Sequence, residues 1–245
     1  MSWMFPRSSG IHAPETREWI LGALYLPVFL FFLNFAILTY FPALGFPLTE
    51  PRNYFFANLL YMTVNFAVML LIFRRTLWQS LREFEGKMLL SVLIGFGMCY
   101  GANLVLTTAY TVLDIMPENY NQEAVNSLLG GYPLAMTLCT VVLAPLAEEC
   151  LFRGVLFAPL ARRCLPAAYA LSMFLFAGMH VFQFLGSMTA ANTILCLSLY
   201  LPASFSLCWV YQKTGNIWAG IFLHMFINFQ SVLASLLRSL MQAFL

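Results

Sequence analysis

Six residues of this chain could carry proton chemistry in a place with little water. Glu148, Glu149 and Arg153 lie in "LAPLAEECLFRGVLF", which runs from Leu143 to Phe157. His180 ends "FLFAGMH", and His224 and Asn228 bound "HMFIN". A carboxylate can take a proton from water, and an imidazole can hold that water. A second imidazole and a carboxamide can donate to an oxygen that gains negative charge. This is the inventory for activating a water and stabilising an oxyanion. Glu149 and Arg153 are four apart, on one helix face, in the favourable acid-before-base order. Glu148 points about 100° away from Glu149, so one guanidinium does not serve both. A paired carboxylate beside an unpaired one suits a site where only one is to react, the neighbouring charge making it a better base. Pro145 fits the first turn of a helix, which would put both glutamates near a helix start, where the dipole favours negative charge. Singly, each residue has a plainer role. Glu149 with Arg153 could be an ion pair at a helix start. His180, and His224 with Asn228, could bond across helices, as Asn34, Asn58 and Asn65 could elsewhere.

The elements that must position these residues are transmembrane helices. Of 245 residues, 61% are hydrophobic and 9% are charged, against about a quarter charged in soluble domains. A spanning helix needs roughly 20 mostly apolar residues. Residues 19–41, 54–73, 88–113 and 124–147 qualify, 164–212 holds two spans with a turn near Gly186-Ser187, and 214–237 gives another. That makes an all-α polytopic transmembrane bundle of seven helices. Cys150–Ala161, apolar but for Arg153, is too short to cross alone and could make an eighth. It could also extend the fourth span past a kink at Pro145, re-enter, or lie at the interface. Unpaired backbone groups are not tolerated in lipid, and the runs are continuous, so a β-barrel is excluded. One membrane-embedded domain, 1–245, is expected. Residues 1–18 hold Pro6, Pro14, Glu15 and Glu18, and the first apolar run is too long for a signal core, so no signal peptide is expected.

Lysine and arginine placement sets the orientation. With the N-terminus in the cytoplasm, Arg7, Arg17, Arg74, Arg75, Arg82, Lys87, Arg153, Arg162, Arg163 and Lys213 face inward. Only Arg52 and Arg238 fall outside, with the loop carrying Asp114, Glu118 and Glu123. Thr76–Lys87 reads as a short interfacial helix with a basic face that serves topology. The net charge of +2 offers no face for nucleic acid. The six cysteines lack a CxxC pair and read as small buried hydrophobes. Gly97 and Gly101 form a GxxxG, expected to pack tightly within the bundle, and oligomeric state is left open. Compact length and short loops suit a bacterial cytoplasmic-membrane protein.

In order, "EECLFR" (148–153), "FAGMH" (176–180) and "HMFIN" (224–228) resemble the EExxxR, FxxxH and HxxxN/D motifs of the CPBP family of intramembrane proteases, also called ABI. That family includes the type II CAAX prenyl endopeptidases and bacteriocin-processing or self-immunity proteins. "YQKTGNIWAGIFLH" (211–224) fits as well. The resemblance covers about residues 140–230. Any one motif is weak, but three in order in a membrane protein are specific. It implies a peptide or protein substrate and an endopeptidase in which Glu148 is the general base. His180 would help hold the water, His224 and Asn228 would form an oxyanion hole, and Glu149 and Arg153 would give structural support. The site is expected to open to the cytoplasm, because the first motif follows the inward end of the fourth span. No cofactor is required. If zinc were bound, Glu148, His180 and His224 would be its ligands, although HExxH is missing and Asn228 is a poor ligand. Rival readings are a non-catalytic immunity or scaffold protein of the same fold, and a transporter. The latter lacks support, since no internal repeat is visible.

Overall fold

The computed structural model describes residues 14–243. Arg7 and His12 lie outside them. Among the described residues the chain forms nine helices and no strand. In order they are α1 (Thr16–Ala43), α2 (Pro51–Ile72), α3 (Arg74–Arg82), α4 (Met88–Val112), α5 (Tyr120–Gly131), α6 (Pro133–Ala161), α7 (Leu165–Ser187), α8 (Ala190–Thr214) and α9 (Ile217–Ala243). All but α3 and α5 are long and apolar enough to cross a membrane, which gives seven spans. Their outward faces carry large exposed apolar side chains, including Leu24 (70% exposed), Phe35 (68%) and Val105 (71%). No water-soluble surface repeats such residues so densely.

Two boundaries differ from the expected ones. The fourth span begins at Pro133, not Ala124, because Gly130-Gly131 weaken the helix and Pro133 forces Tyr132 out of helical geometry, to φ −138° and ψ 60°. Residues 120–131 become the separate short helix α5. Cys150–Ala161 is neither an eighth helix nor re-entrant; it is the second half of α6.

α6 stays continuous across Pro145 by widening. Cys139–Leu143 and Cys150–Phe157 are π-helical and flank the α-helical turn Ala144–Glu149. In the first, the Ala144 N–H bonds to the Cys139 carbonyl. The wider turn absorbs the ring of Pro145 and its missing donor. The glutamates therefore do not stand at a helix start. They sit in the interior of a span, roughly 20 Å along the helix from its end at Ala161. The dipole at a free N-terminus does not hold them there.

Short polar contacts fix the end of the bundle that holds the basic loops. Buried Glu18 accepts the backbone N–H groups of Arg75 and Thr76 and the Thr76 hydroxyl, capping α3 from α1. α3, narrower than the expected 76–87, docks on α9. The Asn216 amide donates to the Ser80 carbonyl at 2.6 Å, and the Trp218 indole donates to the Leu77 carbonyl at 2.8 Å. Gly215, at φ +67°, ends α8 in the left-handed region that favours glycine. At the other end, α5 is held by buried Leu128 and Leu129 and by Tyr132 stacked on Phe55 at 3.8 Å.

Gly97 and Gly101 do not make the expected packing among the described residues, since a Cβ built at either would meet nothing within 4 Å. Gly95 makes that contact instead, against Val210 and Leu223 of α8 and α9. Five cysteines are buried as expected, but Cys164, at the α6–α7 turn, is exposed.

Candidate active site

The first motif lines the inner face of α6. Glu149 and Arg153 are fully buried, and the Arg153 Nε lies 3.1 Å from Glu149 Oε2. Arg153 also donates to the Ser204 carbonyl of α8 at 3.3 Å. Its guanidinium sits over the Phe176 ring of α7, 5.0 Å from the centroid. Desolvating an arginine is costly, and these contacts offset much of that cost.

Glu149 does more than pair with Arg153. Its Oε1 accepts the His224 Nδ1 proton at 2.9 Å, drawing α9 onto α6. This close approach needs Gly220: a Cβ built there would stand 3.1 Å from Glu149 Oε2. The other His224 nitrogen, Nε2, then faces Glu148, with Oε2 at 3.8 Å. Glu148 is 8% exposed, and its Oε2 has no hydrogen-bond partner among the described residues. One imidazole thus lies between two carboxylates of different standing. Glu149 is held by Arg153, and no lysine or arginine among the described residues pairs with Glu148.

His180 is half-buried on α7. Its Nδ1 lies 2.8 Å from the Phe176 carbonyl, which can only accept, so Nδ1 carries the proton and Nε2 keeps its lone pair. Phe176, the first residue of the second motif, touches both histidines. Its ring lies 4.8 Å from His180 and 5.5 Å from His224. Asn228, one turn beyond His224, donates through Nδ2 to the Thr140 carbonyl of α6 at 2.8 Å. The structure therefore joins Glu148, Glu149, Arg153 and His224 directly, brings in His180 through Phe176, and fixes Asn228 to α6. Sequence reasoning missed Ser204, Thr140, Tyr200 and the role of Phe176. The only signal for Phe176 was its place in the second motif.

Exposure along the site is uneven. On the Arg153 side, Phe152, Phe157, Leu207, Tyr211 and Ile221 are all fully buried. The half-buried Thr140, His180, Tyr200 and Asn228 lie toward the α5 end. The expected cytoplasmic opening rested on the glutamates standing at the basic end of their span. Their interior position removes that ground.

Among the described residues, no three His, Cys, Asp or Glu side chains are placed to hold a metal ion. The Nδ1 atoms of His224 and His180 are engaged by Glu149 and by the Phe176 carbonyl, which leaves their Nε2 atoms as the ring nitrogens that face the site.

Residues 130–230 match the family described as "Type II CAAX prenyl endopeptidase Rce1-like". Over 166 residues the chain is 28% identical to "Putative membrane peptidase YdiL" of Bacillus subtilis (strain 168). That match takes in 66% of this chain and 64% of the relative, so the chain covers less than two thirds of the relative's length. No solved structure matches the chain. The three motifs stand in order on α6, α7 and α9 inside the matched stretch, so over residues 130–230 the chain is similar to the Rce1-like family.

Proposed function

We propose that this chain is an intramembrane endopeptidase of the bacterial cytoplasmic membrane that hydrolyses a peptide bond with a glutamate-activated water. The observation that carries this reading is the His224 imidazole. Its Nδ1 is fixed by the ion-paired Glu149, and its Nε2 is turned toward Glu148, whose buried Oε2 has no hydrogen-bond partner among the described residues.

Glu148 takes a proton from water as the water oxygen attacks the scissile carbonyl carbon. The C=O π electrons move onto the carbonyl oxygen, which becomes an oxyanion. On collapse the C–N bond breaks, and the proton held by Glu148 passes to the leaving amine. The His180 Nε2 lone pair accepts from the attacking water. The oxyanion is met by His224 Nε2–H, which requires the imidazolium form because Nδ1–H is already given to Glu149. The second amide hydrogen of Asn228 joins it. Each such donor contributes about 3 kcal/mol in a preorganised site. No metal enters this sequence. The half-buried residues support access from the α5 end, and with the N-terminus cytoplasmic this is the outer face. The family resemblance suggests a CAAX-type substrate, which would need a prenylated cysteine; nothing in the site selects for one.

The test is purified protein in detergent with a peptide library, before and after exhaustive chelation. Glu148→Gln keeps the shape and removes the base, so cleavage should fall by about 10²–10⁴-fold. Normal cleavage by this variant rules out the assignment of Glu148, and loss of activity on chelation rules out the metal-free route.

A further inference from the structure

We infer that Tyr200 of α8 is a positioning residue for His180, and that it ties the site to the start of α5; this rests on the reading of His180 as the ligand of the attacking water. The hydrogen bond from Nδ1 to the Phe176 carbonyl fixes one direction of the imidazole but leaves the ring free to tilt about it. The Tyr200 ring removes that freedom. It stacks on His180 with centroids 4.5 Å apart and planes 22° apart, while Phe176 lies 4.8 Å away at 45°. Stacked aromatic rings attract each other beyond their buried area, which resists that tilt. The plane of the imidazole sets where the Nε2 lone pair points, and so where a water can be held.

Tyr200 is itself anchored. Its hydroxyl donates to Asn119 Oδ1 at 3.0 Å and accepts from Asn121 Nδ2 at 3.2 Å. The same Asn119 oxygen accepts the Gln122 N–H and caps α5. The chain before α5 is pinned to α8 again, where Asn192 and the Glu118 backbone bond to each other in both directions, at 2.9 and 3.0 Å. A segment between spans α4 and α6 thus reaches down to Tyr200. It lies one side chain from His180, on the side where the site is half-buried. The hydroxyl holds the segment and the ring holds the histidine, so the two functions of Tyr200 are separable.

Two substitutions separate them. Tyr200→Phe keeps the ring and removes the hydroxyl; Tyr200→Leu removes both. Two readouts apply: kinetics on a cleaved peptide, and the ring-proton shifts of His180 in histidine-labelled protein, assigned with a His180→Asn control. Y200L should lower kcat by about 10–100-fold, the usual effect of losing a group that orients a catalytic one, with KM within a few-fold. It should also move the His180 shifts downfield as the ring current is lost. Y200F should keep the shifts and most of kcat. Unmoved shifts in Y200L overturn the inference, as does a Y200F protein as impaired as Y200L. If Y200L does not fold, Tyr200→Met takes its place under the same criteria. The shift readout needs no activity, so failure of this inference is distinguishable from failure of the protease reading, which the Glu148→Gln assay tests.

Discussion

Arg153 is the largest fully buried side chain among the described residues, and its charge is the one that the interior can least afford to lose a partner for. It answers Glu149, which in turn answers His224. Removing the guanidinium leaves a carboxylate fully buried with only the imidazole against it. Breaking a buried pair from one side typically costs about 3–5 kcal/mol, whereas replacing both partners by neutral groups of similar size is often nearly neutral. Arg153→Ala should therefore lower the melting temperature in detergent by roughly 6–20 °C, using the usual slope for a chain of this length. Glu149→Gln with Arg153→Met should regain most of that loss. The double variant should still be a poor enzyme, because a neutral side-chain amide at position 149 is a weaker anchor for His224 Nδ1 than the carboxylate. A double variant no more stable than Arg153→Ala would show that the guanidinium acts through its packing against Phe176 and Ser204 instead.

Among the elements, the close approaches of α9 to α6 and of α4 to α8 and α9 depend on glycines that behave differently from the GxxxG pair. A Cβ at Gly95 would meet Val210 at 2.5 Å and Leu223 at 2.9 Å; one at Gly97 would meet nothing within 4 Å. Gly95→Ala should destabilise by about 1–3 kcal/mol, as overpacked cores do. Gly97→Ala should be neutral or stabilise by up to about 1 kcal/mol through helix propensity. Gly220→Ala presses on Glu149 Oε2, so it should lower kcat with little change in melting temperature. Thermal melts and kinetics of the three variants check the order, and an unstable Gly97→Ala would mean that this face is covered. The spacing of small residues names a helix face that can pack but not the face that does, which is why Gly97 and Gly101 misled while the neighbouring Gly95 makes the contact. The same limit explains α6. Glu148, Glu149, Arg153, His180, His224 and Asn228 stand out in sequence because ionisable and amide groups are rare in apolar spans. Whether Pro145 starts a helix or sits inside a widened one depends on π-helical turns that no local pattern announces. The seven spans were legible from length and hydropathy. The break at Tyr132 was legible only in hindsight, from Gly130-Gly131 followed by Pro133. Tyr200 was not legible at all, since a tyrosine in an apolar helix carries no mark of its partner.

For the molecule as a whole, the face of the membrane that the α5 end meets decides which peptides can reach the site. Helices alternate direction, so the turns before α1, between α2 and α4, between α6 and α7, and between α8 and α9 share one end, and α5 lies at the other. Arg74, Arg75, Arg82, Lys87, Arg162, Arg163 and Lys213 gather at the first end. Cytoplasmic loops carry such an excess, so this end should be inside. Cys164 gives a reporter without any mutation. It sits at that end, in the α6–α7 turn, and the other five cysteines are buried. A membrane-impermeant maleimide applied to intact cells should leave Cys164 unlabelled, and the same reagent applied to inverted membrane vesicles should label it. A Cys164→Ser variant supplies the background in each preparation. Labelling from outside would turn the whole bundle over. It would put the α5 end, Tyr200 and the half-buried side of the site in the cytoplasm. The geometry around Glu148 would be unchanged, but the pool of peptides able to reach it would be the cytoplasmic one.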